Sequence, residues 1–124
     1  MKVFKNAWFG RFARKEKISA DALWDAVERA ENGQIDADLG GGAIKQRIAR
    51  PGESKSKGYR SIILFRKGEL SLFVYGFSKS ELANIRADEE VQFKKMAKHV
   101  LSLTDEQLSK LVANGQFEEV VKDA

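Results

Sequence analysis

The stretch from Ala43 to Phe77 constrains this chain more than any other, because it reads as three successive strands. The runs Ala43 to Arg50, Tyr59 to Arg66 and Leu70 to Phe77 are dense in extended-chain formers. The last two hold the β-branched and aromatic residues that suit a pleated surface. Only Lys67-Gly68 and its neighbours separate those two runs, so they form a hairpin. Pro51, the sole proline, has no backbone N–H to offer a ladder and ends the first run. A polar loop from Gly52 to Gly58 follows, carrying Lys55 and Lys57.

Both flanks of this β region are helical in pattern. Lys2 to Phe4 predicts a short strand, and the segment with Trp8, Phe9 and Phe12 predicts a helix whose aromatic residues belong mostly to the core. Ser19 stands as N-cap of a second helix in which Leu23, Ala26, Val27 and Ala30 repeat at helical spacing before Gly33. Gly40-Gly41-Gly42 breaks any helix; no Lys-Ser or Lys-Thr pair follows, so it is a turn or bulge signal and not a phosphate loop. After the sheet, Asp88 is the expected cap of a helix with Glu89 and Glu90 at its positive end and Lys98 and His99 at its negative end. Thr104 and Gln107 have the spacing of a capping box for a last helix.

The expected fold is therefore α+β: a small antiparallel-type sheet of three to four strands, an N-terminal helical hairpin and one or two C-terminal helices. The 124 residues make a single domain, 1–124, with 104–124 as a C-terminal helical extension. No apolar run approaches the roughly 20 residues needed to span a bilayer, and no secretory leader pattern opens the chain. A cytoplasmic protein without membrane contact is the expectation.

Charge is segregated along the chain. Between Ala43 and Gly68 stand Lys45, Arg47, Arg50, Lys55, Lys57, Arg60, Arg66 and Lys67 against one acid, Glu53. Alternation puts Lys45 and Arg47 on one face of their strand, and Arg60 and Arg66 on one face of theirs. Paired as neighbours, these strands gather cations on a surface suited to RNA. Lysine and arginine would hold phosphates while Tyr59, Tyr75 or Phe77 stack on unpaired bases. An ordinary solvated sheet face is the competing reading.

Composition closes other routes. With no cysteine and only His99, thiolate chemistry and a conventional triad have no material, and His99 near a helix end is explained by the helix dipole. No metal site and no cofactor are expected. Asp36 with Asp38, and Glu89 with Glu90, are accounted for by a polar loop and a helix N-terminus. What the residues do permit is attack by an RNA's own 2′-hydroxyl. Arginine would stabilise the crowded phosphate, and a lysine crowded by other cations would serve as base.

The stretch Asp38-Leu39-Gly40-Gly41-Gly42-Ala43-Ile44-Lys45-Gln46-Arg47 resembles the RelE/HigB branch of the RelE/ParE toxin superfamily. So do Gly58-Tyr59-Arg60-Ser61-Ile62-Ile63, Tyr75-Gly76-Phe77-Ser78-Lys79-Ser80-Glu81 and Ala83-Asn84-Ile85. The resemblance covers about residues 1 to 120. It implies a toxin of a bacterial toxin-antitoxin pair, cutting messenger RNA on the ribosome and silenced by a cognate antitoxin. It further implies Arg47, Lys57, Arg60 and Lys79 as the catalytic set, Arg47 and Arg60 holding phosphate and Lys57 or Lys79 acting as base. Lys45, Arg50, Lys55, Arg66, Tyr59 and Tyr75 are the expected RNA contacts. Some relatives use a tyrosine near the C-terminus, whereas this chain has none after Tyr75. The ParE side of the superfamily, which poisons DNA gyrase, and a non-catalytic nucleic-acid- or partner-binding domain are the alternatives.

Overall fold

In order along the chain come β1 (Lys2–Asn6), α1 (Ala7–Glu16), α2 (Ala20–Glu31), β2 (Ala37–Gly40) and β3 (Ala43–Ile48). They are followed by β4 (Tyr59–Arg66), β5 (Leu70–Ser78), α3 (Ala87–Val100), α4 (Asp105–Ala113) and β6 (Phe117–Glu119). The structure is a computed structural model that describes residues 1–49, 58–78 and 84–122. The strands form one sheet in the order β2-β3-β4-β5-β1-β6. All pairings are antiparallel except β1 with β5, which is parallel.

The α+β class and both helical flanks match the sequence reading, but the sheet is wider than three or four strands. Consecutive left-handed glycines, Gly40 at φ 88°, Gly41 at 65° and Gly42 at 93°, turn the chain back on itself, so Ala37–Gly40 pairs with β3. Such φ values suit glycine alone, and the polar composition of this short strand concealed it. The segment 104–124 is likewise not a purely helical extension. Its capping box forms as expected, but the helix stops at Ala113, and Phe117–Glu119 becomes an edge strand on β1. Helix α3 starts with Arg86, not Asp88, at its N-cap, and the Glu89 carboxylate accepts from the Arg86 N–H at 3.0 Å.

Both sheet faces are covered. On one, α1 and α2 bring Phe9, Ala13, Leu23, Ala26, Val27 and Ala30 against Val3, Ile44, Ile48, Tyr59, Ile63 and Phe73. On the other, Ala97, Val100 and Leu108 of α3 and α4 meet Phe4, Ala43, Ile62, Leu64, Leu70, Leu72 and Val74. Strand β4 lies between these layers and is buried continuously from Tyr59 to Leu64. Each fully buried isoleucine or leucine there contributes on the order of 1.5–3 kcal/mol.

One irregularity decides what the second face presents. The β4–β5 register runs Leu64 to Leu72 and Ile63 to Phe73, then shifts, so that Ile62 faces Tyr75 and Arg60 faces Phe77. Val74 is the extra residue. Strict alternation from Leu72 would put Tyr75 and Phe77 under α1; the bulge moves both to the face of Ile62 and Arg60. Asn6 holds it there, its amide donating to the Val74 carbonyl at 3.2 Å while its side-chain oxygen accepts from Phe9 N–H at 2.8 Å as the cap of α1. Opposite the re-aimed rings, Gly76 leaves the room that Phe12 and Phe9 occupy, since an added Cβ would lie 2.5 Å from Phe12.

Asn6→Ala should therefore cost about 1–2 kcal/mol, the loss of a cap plus a bulge contact. Asn6→Asp, which keeps the acceptor and loses the donor, should fall between it and the native chain in urea unfolding.

Candidate nucleic-acid interface

The centre of the basic face is a pair of like charges. Arg47 of β3 lies directly opposite Arg60 of β4. The N–H of Arg47 donates to an Asp36 carboxylate oxygen at 2.7 Å, and its carbonyl accepts from the Arg29 guanidinium. Both backbone groups thus point away from β4. The same alternation follows from the Phe65 N–H bonding the Gly42 carbonyl further along the two strands. Arg47 and Arg60 are therefore a non-hydrogen-bonded pair, the kind with Cα atoms about 4.5 Å apart and side chains closest together. Like charges placed so are destabilising unless something between them is negative.

Arg60 is the more confined of the two. Only 9% of it is exposed, and among the described residues its Nη1 is buried with no hydrogen-bond partner. Burial, then the neighbouring Arg47 charge, lower its pKa, while Asp36 acts in the opposite sense. A desolvated, unpartnered donor beside a second guanidinium has the chemistry to hold an oxyanion.

Neighbouring strands extend the face. One residue pair along, Lys45 lies opposite Ile62, which lies opposite Tyr75, and the Lys45 ammonium donates to the Asn84 side-chain oxygen at 3.1 Å. Tyr75 is part of an aromatic column. Its ring centroid is 4.7 Å from that of Trp8 and 5.7 Å from that of Phe93, and Trp8 stacks in turn on Phe12 at 5.4 Å. Burial first, and then the Glu89 charge, push the Tyr75 phenol up, with Arg86 working the other way. The phenol stays protonated at neutral pH and can donate a hydrogen bond.

The structure sorts the expected site residues. Arg47, Arg60, Lys45 and Tyr75 share one face and lie on three adjacent strands. Tyr59 does not join them: it is 1% exposed, packs edge-on against Phe12, and donates its hydroxyl to Glu16 at 3.0 Å. The alternation that turns Arg60 towards one face necessarily turns Tyr59 towards the other. Arg66 has the right face but the wrong end, six residues or about 20 Å along β4. There it bonds the Leu101 carbonyl and Glu69. Arg50, Lys55, Lys57 and Lys79 lie outside the described residues. His99 lines an apolar cleft with Met96, Leu103, Leu111 and Phe117, apart from the cations.

Two features were missed in the sequence. Trp8, assigned with its neighbours to the core, is 38% exposed at the edge of the aromatic column. Asp36, read as a loop acid, touches the backbone of the central arginine. No sequence signal marks that contact, because it depends on where β2 begins. Among the described residues no cluster of His, Asp or Glu could hold a metal ion, and no helix is long and apolar enough to cross a membrane.

A family model described as the RelE toxin of the RelE/RelB toxin-antitoxin system matches residues 1–120. The chain belongs to the RelE toxin family. Membership makes it a toxin of a toxin-antitoxin system, with a cognate antitoxin as its partner. No match is found among curated proteins or among solved structures. In this RelE-family chain the fold places the Arg47–Arg60 pair at the end of the sheet where Ile48, Tyr59 and Ser78 mark the strand limits.

An anion bound between the two arginines would stabilise the folded state by mass action. Phosphate should raise the melting temperature of the native chain by more than chloride at equal ionic strength. Arg60→Met keeps the packed stem and removes the buried charge, so it should be no less stable than the native chain and should lose the phosphate response.

Proposed function

We propose that this RelE-family toxin is a metal-independent endoribonuclease that cuts messenger RNA on the ribosome. The observation that carries the reading is the buried, unpartnered Nη1 of Arg60 directly opposite Arg47. Two permanently charged side chains at directly opposite positions on one sheet face suit the additional negative charge of a phosphorane better than that of a resting diester.

In the proposed reaction the 2′-oxygen of a ribose attacks the adjacent phosphorus. The new 2′-O–P bond forms as the P–O5′ bond breaks, leaving a 2′,3′-cyclic phosphate and a 5′-hydroxyl. A base takes the 2′-hydroxyl proton and an acid delivers one to the departing 5′-oxygen. Arginine stays protonated and is assigned to charge stabilisation. Tyr75, its phenol pushed up, is assigned to hydrogen-bond donation and to packing beside a base, not to proton abstraction. Lys57 or Lys79 is the proposed base, and Lys45 contacts the backbone of the RNA strand. The antitoxin would silence the protein by denying RNA access to this face.

The test is end-mapping of messenger RNA in a purified translation reaction, with ribosomes present or omitted. Cuts that need ribosomes and leave cyclic phosphate ends are expected. Arg47→Ala and Arg60→Met should each lower the cleavage rate by about 10²–10³-fold, the usual loss on removing one oxyanion donor. DNA breaks trapped on gyrase with the RNA intact would instead favour the ParE-like alternative.

A further inference from the structure

Strand β3 loses its outer neighbour partway along. Ala37 pairs with Lys45, and a continued β2 would place residue 35 opposite Arg47. Ile35 instead turns inward and packs against the α2 side of the core. Among the described residues no strand bonds the outward N–H and C=O of Arg47.

Side chains take the place of that strand. Asp36 accepts from the Arg47 N–H at 2.7 Å, and Arg29 of α2 donates to the Arg47 carbonyl. Arg29 is 3.6 Å from the same Asp36 oxygen and is braced on its own helix by Asp25 at 3.1 Å. Its side chain is only 16% exposed. Gln46, fully buried, locks the turn: its side-chain Oε1 accepts from Asp36 N–H at 2.7 Å, and its side-chain Nε2 donates to the Ala26 carbonyl at 2.9 Å. Both backbone groups of Arg47 are thereby tied to the second helix through one ion pair.

We propose that Arg29 and Asp36 are positioning residues that hold the backbone of Arg47 in place of a missing strand and so fix its guanidinium opposite Arg60. The proposal rests on the cleavage reading for its consequence, though the clamp can be measured without it. The Asp36 carboxylate also offsets part of the repulsion between the cations around it. Displacing a charge-stabilising group by about 1 Å is enough to lower a rate about 10²-fold.

The experiment combines amide hydrogen exchange at Arg47 with cleavage kinetics. In the native chain the Arg47 amide should exchange slowly although no strand covers it. Asp36→Ala should speed that exchange and lower kcat by about 10–100-fold with little change in KM, while the melting transition remains cooperative. Asp36→Asn keeps an acceptor oxygen for the Arg47 N–H but loses the ion pair to Arg29, so it should restore the protection and the rate only in part; Arg29→Lys should lose more than it keeps, lacking the guanidinium fork. If Asp36 acts through Arg47, the double variant Asp36→Ala with Arg47→Ala should be no slower than Arg47→Ala alone. Losses that multiply, or unchanged exchange in Asp36→Ala, overturn the proposal. Cutting by Arg47→Ala at the native rate would instead remove the cleavage role of Arg47, and the exchange data would then separate that failure from failure of the clamp.

Discussion

The register of β4 between β3 and β5 is the constraint on which the rest of the structure depends. This strand is buried on both faces, so a slip by one residue would send every isoleucine and leucine to the wrong layer. Two helical layers, one on each side, hold it in place. That same register brings Arg60 opposite Arg47 and beside Phe77. A charged pair that repels itself is thus carried by the most strongly specified pairing in the sheet. Strain of this kind persists where the surroundings over-determine it, and it is characteristic of sites that receive a ligand.

Around the pair, the sheet is adapted by local exceptions to regular pleating. The Val74 bulge rotates Tyr75 and Phe77 onto the arginine face, with Asn6 serving both the bulge and the first helix. On the opposite edge, β3 outlasts β2, and an acid, an arginine and a buried glutamine complete the missing ladder. Both exceptions act on backbone groups.

Much of the fold was legible in the chain. Ser19, the 3.6-residue repeat of Leu23, Ala26, Val27 and Ala30, and Gly33 delimit α2 because those signals act within a few residues of one another. The hairpin at Lys67-Gly68 and the capping box at Thr104 are legible for the same reason. Strand β2 was not, since a four-residue polar edge strand carries almost no hydrophobic alternation. Strand β6 was hidden behind a helix stop, and its pairing with β1 spans over a hundred residues of sequence. Within the candidate site, alternation sufficed to join Lys45 to Arg47 and should have removed Tyr59, whose parity opposes that of Arg60.

By itself, then, the sequence determined the class of fold, the basic character of strands β3 and β4, and a chemistry with no thiolate and one histidine that is explained by its helix. These follow from local spacing and from residue types, which no tertiary contact can alter. Only the tertiary structure decided that Arg60 would be buried with an open donor, that Arg66 would lie at the far end, and that Asp36 and Arg29 would grip Arg47. Each of these depends on register, on a bulge and on the length of an edge strand. Such quantities are set by how several segments pack together, and no single segment contains them.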